Sequence, residues 1–168
     1  PMKPVYPAPM STRKSRRRRP PWHSLARRLA ERRRFATFLD WLAFVRVQAS
    51  AKHKGAKGAS ARPIPLRLKD DPRPLFVRPG TSDGPVVKEI FLWDEYAPLL
   101  REVTGDVRTV IDLGSNIGLT VRLWQMHFPK ARICAVEPDQ GNADLLLTNA
   151  SVAPVPAGGP PILLRACI

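Results

Sequence analysis

The spacing of apolar positions changes along the chain, and each change predicts a different kind of element. Over residues 24–51, Leu25, Leu29, Phe35, Phe38, Leu39, Leu42 and Val45 recur at three, four or more positions, with arginines around the rest of the axis. That pattern predicts one basic amphipathic helix. Pro65-Leu66-Arg67-Leu68 and Pro74-Leu75-Phe76-Val77-Arg78 flank Asp70-Asp71-Pro72, which predicts a β-hairpin turning at those residues. Thr81-Ser82-Asp83-Gly84-Pro85 then supplies an N-cap and an early proline for a helix over 86–92, and a second short helix is expected over 95–102. Beyond residue 107 the pattern becomes regular: strand 108–113, helix 117–127, strand 132–136, helix 141–150 and strand 162–167. Short continuous apolar strands alternating with helices predict βαβ units and a parallel sheet buried on both faces.

Charge divides the chain differently from hydropathy. Of 28 Lys and Arg, 16 lie in residues 1–60 against only Glu31 and Asp40, so the whole net charge of +14 belongs to that segment and the remainder is neutral. Residues 1–21, Pro-rich and then Arg-rich, are expected to be disordered, and 52–63, small, basic and glycine-containing, reads as a linker. Three regions follow: 1–60 as a basic extension, 61–107 as a hairpin and helical lead-in, and 108–168 as an α/β half-domain. The basic helix fits a solvated or partner-packed element, and peripheral membrane contact through 24–51 is the next reading. An Arg run alone gives only sequence-independent attraction, so nucleic acid is not the expected partner.

The apolar run over 35–47 is broken by Asp40 and Arg46 and is too short to span a bilayer. Cys134 and Cys167 both fall in expected strands, which suits reduced thiols and a cytoplasmic location rather than a disulfide scaffold. An Arg-rich leader also fits organelle targeting, although serines are sparse. The chain opens on Pro1 and stops at Ile168 within an expected strand, so a fragment is expected.

Candidate chemistry lies where strands end, because ligands of such sheets bind beyond the carboxyl ends of the strands. The first strand runs into Asp112-Leu113-Gly114-Ser115-Asn116-Ile117-Gly118, whose glycines permit a tight turn and close backbone approach. The second ends at Glu137-Pro138-Asp139, with Glu137 23 positions past Gly114 (137 minus 114). A carboxylate there is placed to accept both hydroxyls of a ribose. A dinucleotide site usually carries three glycines. Here Asn116 holds the middle position, and Asp112 would meet a pyrophosphate with like charge. A nucleoside cofactor bearing a cation suits Asp112 better, and S-adenosylmethionine has that chemistry. An NAD-dependent oxidoreductase is the rival enzyme reading, and a non-enzymatic basic nucleic-acid or membrane-surface binding module is the rival from outside the enzymes.

The run Val110 to Thr120, together with Phe128-Pro129-Lys130-Ala131-Arg132-Ile133, Val136-Glu137-Pro138-Asp139 and Asn142, resembles the FkbM family of S-adenosylmethionine-dependent methyltransferases. Arg78-Pro79-Gly80-Thr81-Ser82-Asp83 and Glu95-Tyr96 resemble its lead-in, so the likeness covers roughly residues 63–168. It implies a class I, Rossmann-like fold and methyl transfer to a hydroxyl of a sugar or another small-molecule natural product. Carried over, Asp112, Gly114, Ser115, Asn116 and Gly118 would cradle the methionine part, Glu137 would bind the ribose and Asp139 would lie near adenine. Asp139 reads equally well as a helix N-cap. Ser82 and Asp83 could face the methionine tail, although capping is the simpler role. The strands stop at the third, before the half of the family's sheet that carries the acceptor pocket and general base. No base is nominated, and this stretch by itself is expected to be inactive. The uncovered strand edge and face predict association or poor solubility.

Overall fold

The computed structural model describes residues 28–51, 62–152 and 154–166. The expected disorder over 1–21, most of the linker, and Cys167 fall outside them. The chain is a mixed α/β structure with a two-stranded antiparallel sheet and a three-stranded parallel sheet.

The predicted basic helix is two pieces. A helical segment covers 28–32, the chain then turns, and helix α1 occupies Phe38–Ala51. The break has a local cause. Thr37 and Asp40 form a reciprocal cap, in which the Asp40 carboxylate accepts from the Thr37 N–H and hydroxyl while Thr37 Oγ1 accepts from the Asp40 N–H. Such a box starts a helix and sets the chain before it free to turn. Phe35 uses that freedom, bridging to Leu68 and burying its ring against Phe44 at 5.0 Å.

Strands β1 (Ile64–Leu68) and β2 (Asp71–Val77) form the hairpin, with α1 packed on β1. Its turn is Lys69-Asp70, so Asp71 and Pro72 belong to β2 rather than to the turn. Asp71 is drawn inward by two guanidinium groups, described below. Helix α2 (Asp83–Val87) continues without a break as a π-helical turn over Lys88–Leu92, closed by Trp93 N–H donating to Lys88 O at 2.9 Å. Helix α3 covers Ala97–Glu102.

The parallel sheet has strands β3 (Thr109–Leu113), β4 (Arg132–Val136) and β5 (Ile162–Leu164) in that spatial order. Helices α4 (Leu119–His127) and α5 (Gln140–Ser151) provide the crossovers. Burial on both faces is not what the sheet shows. Ile111 and Leu113 on β3 are 66% and 59% exposed, and Ile162 and Leu164 are also exposed, so among the described residues the face opposite α4 is open and β3 forms an edge. Cys134 on β4 is a free thiol, half-buried. Among the described residues no helix is long and apolar enough to cross a membrane.

One core joins the two sheets. Phe44, Val47, Leu66, Leu75, Val77, Ile117, Val121 and Leu146 are almost wholly enclosed in the same cluster. Through that core runs a polar pillar. Arg122 of α4, fully buried, donates to Asp71 at 2.5 and 3.1 Å and to the carbonyls of Pro74, Arg73 and Asn149. Arg73 takes the other Asp71 oxygen at 2.9 Å. Asn149 of α5 pairs with the Phe76 backbone in both directions and donates to Ile117 O. The hairpin is thereby fixed against the helices that carry the glycine turn.

Candidate functional site

The turn after β3 has three residues in the left-handed region: Gly114 at φ 76°, Asn116 at 48° and Gly118 at 80°. Asn is among the few side chains that tolerate this backbone, which accounts for Asn116 in the middle position. The two glycines serve different ends. A Cβ on Gly114 would meet open space, whereas one on Gly118 would lie 2.9 Å from Leu146 Cγ and 3.1 Å from its Cα. Gly118 therefore lets α4 approach α5, and Gly114 keeps the surface beside the turn clear. Helix α4 begins at Leu119, two residues after the expected start, because Gly118 itself is the left-handed cap.

The N–H groups of the turn are largely spent within the protein. Those of Gly114 and Ser115 both donate to Val136 O at 3.0 Å, that of Gly118 donates to Ser115 O, and that of Asn116 donates to Glu137 Oε2 at 2.8 Å. Ser115 Oγ donates to Asp112 O and accepts from Val136 N–H, so this hydroxyl ties β3 to β4. Glu137 is buried, and its Oε1 accepts from the Asp139 N–H and the Asn142 side chain. With about two acceptor sites on each oxygen, Oε1 is filled and Oε2 has one protein donor, while the side chain lies outside the lining of the cleft described below.

Asp139 caps α5, its Oδ1 accepting from Asn142 N–H at 2.8 Å. Ser82 makes no capping bond; Thr81 Oγ1 instead accepts from the Asp83 N–H. Asp83 is enclosed and held by Arg78 through a bidentate contact at 3.0 and 3.1 Å. The same guanidinium donates to Asn142 Oδ1 at 2.7 Å. Its pKa rises, chiefly through the Asp83 bonds, with Asp139 and Glu137 adding their charges. Arg78 thus couples the lead-in to the acidic turn. The sequence offered only the Arg78 to Asp83 spacing as a sign of it.

A cleft of about 240 Å³ lies between the lead-in and the turn, lined by Glu89, Glu95 and Tyr96 on one side and Gly114, Asn116 and Thr120 on the other. Thr120 Oγ1 donates to Asp112 Oδ2 at 2.5 Å. Burial pushes the Asp112 carboxyl above its ordinary value, and the Thr120 bond only partly offsets that. The Tyr96 phenol is pushed up by burial and then by the charges of Asp112, Glu95 and Glu89. No Lys or Arg lines the cleft, so its field favours a cation. Tyr96, edge-on to Trp124 at 5.3 Å, is a wall residue to which sequence reasoning assigned no role. No group of His, Cys, Asp and Glu among the described residues could hold a metal ion. Neither the models of known families nor the curated proteins give a match to the chain.

Proposed function

We propose that residues 63–168 belong to an S-adenosylmethionine-dependent methyltransferase of FkbM type, acting on a hydroxyl of a sugar or other small-molecule natural product. The observation that carries the reading is the cleft beside the glycine turn, acidic and without a basic residue, next to a turn in which the N–H groups of Gly114, Ser115, Asn116 and Gly118 already have partners. A dinucleotide pyrophosphate needs free N–H donors and tolerates carboxylates badly; a nucleoside carrying a positive centre needs the reverse. This weighs against the NAD-dependent alternative.

The residues present fit such a cofactor. Gly114 leaves room beside the turn, Asp112 and the cleft carboxylates match positive charge, and Glu137 retains one acceptor position for a ribose hydroxyl. S-adenosylmethionine, when bound, supplies an electrophilic methyl on a sulfonium. Arg78 and Asn142 hold Glu137 and the start of α5 in place, and Thr120 orients the Asp112 carboxylate.

Calorimetric titration of the chain with S-adenosylmethionine, S-adenosylhomocysteine and NADH tests the reading. S-adenosylmethionine should bind, more tightly than S-adenosylhomocysteine, whose sulfur carries no charge, and NADH should not. Binding of NADH in preference to both would overturn it.

A further inference from the structure

A helix that is apolar around most of its circumference is normally enclosed by protein or lipid. In α1 only one side is enclosed: Phe44 and Val47 are 1% and 0% exposed, in the core. On the outward side Leu39 is 74% exposed, Phe38 52% and Leu42 42%, with Leu29 of the preceding helical segment at 58%. Such a cluster, on a helix that carries Arg46 and follows an arginine-rich segment, needs a cover of its own.

The charges around it are of one sign. Arg28, Arg33 and Arg46 are exposed, and Arg32 lies over the Phe38 ring at 6.0 Å. Both acids of the segment are neutralised away from this face. Glu31 pairs with Lys88 at 3.0 Å, and Asp40 is buried in its cap and bonded to Arg67. The sequence ahead adds Arg13 to Arg19. Apolar side chains ringed by cations match the boundary layer of an anionic bilayer, where Leu and Phe enter the acyl region and Arg meets headgroup phosphate. Nucleic acid would use the charge and leave Leu39 and Leu42 without a partner.

We propose that the outward face of α1, with Leu29 and the flanking arginines, docks the protein on an anionic lipid membrane. The surface is independent of the cofactor cleft, so its test is independent of the methyltransferase reading.

The test is co-sedimentation of the full chain with phosphatidylcholine vesicles, with and without phosphatidylserine as one third of the lipid. The protein should bind the phosphatidylserine vesicles at least about tenfold more strongly, and about 1 M salt should weaken the binding. The double substitution Leu39→Glu with Leu42→Glu should lower binding about tenfold or more although every arginine remains. Leu39→Gln, at the most exposed position, gives a smaller loss in the same direction and serves if the double variant does not fold. Unchanged binding by folded variants would show that charge alone attracts the lipid, and absence of binding by the wild-type protein would show that there is no such surface. Either result overturns the proposal, as does light scattering that shows the variants abolishing self-association without any vesicle binding.

Discussion

Asp71 and Asp112 are two carboxylates withdrawn from water whose surroundings drive them in opposite directions. Burial alone would raise Asp71, but hydrogen bonds from Arg73 and Arg122 and the charge of Arg122 outweigh it and hold the group below 3.8. Its contribution to stability is fully present above 3.8 and is lost as pH falls through the lower folded-state value. Asp112 is raised above 3.8 by burial, so the folded state holds its proton more tightly than the unfolded chain does. Its charge costs stability at neutral pH, and that cost disappears as pH falls through the raised value toward 3.8. Asp112→Asn should therefore raise the neutral-pH melting temperature, with the advantage shrinking on acidification, and should erase the preference for S-adenosylmethionine over S-adenosylhomocysteine. Thermal melts across that range, with paired titrations, check both; a variant that melts lower at neutral pH would contradict the burial argument. The two glycines separate in the same way. Gly118→Ala carries the left-handed penalty of about 1–2 kcal/mol and the contact with Leu146, whereas Gly114→Ala carries the penalty alone. Urea unfolding should rank Gly118→Ala as the more damaging. Loss of cofactor binding out of proportion to lost stability is expected of Gly114→Ala.

At the scale of elements, the hairpin and α4 are joined through a buried ion pair, and such a pair is most informative when one member is removed. Asp71→Asn leaves Arg122, which is fully buried, without its counter-charge. A destabilisation of about 3–5 kcal/mol is expected, read as a shift in the urea midpoint with little change in slope. A cost below 1 kcal/mol would mean that the three carbonyls on Arg122 suffice. The elements also show how far spacing alone reaches. Strands β3 and β4 and helix α5 fall within a residue or so of where apolar spacing puts them, because each buries a continuous run locally. The single helix over 24–51 fails at Thr37 to Asp40, a box visible in the sequence but masked by the helical periodicity on either side. The hairpin turn is displaced because Asp71, a turn former by composition, is claimed by arginines 2 and 51 positions away.

Over the whole molecule, the sequence by itself determined the βαβ alternation, the location of the glycine turn and the presence of acids at both strand ends. These follow from local spacing and from backbone requirements that few residues meet. It also determined that charge is concentrated ahead of residue 61. Only the tertiary structure decided what those residues do to one another. It spends the N–H groups of Gly114, Ser115, Asn116 and Gly118 on Val136, Glu137 and Ser115, commits Asp139 to a cap, sets Tyr96 opposite the turn and closes Asp83 behind Arg78. It also divides the apolar side chains of α1 between the core and an open face, and among the described residues leaves one side of the parallel sheet uncovered. The physical reason is common to all of these. A strand or helix is selected by neighbours a few positions away, but hydrogen-bond partners and burial are settled by residues tens of positions apart, whose meeting depends on how the finished elements pack.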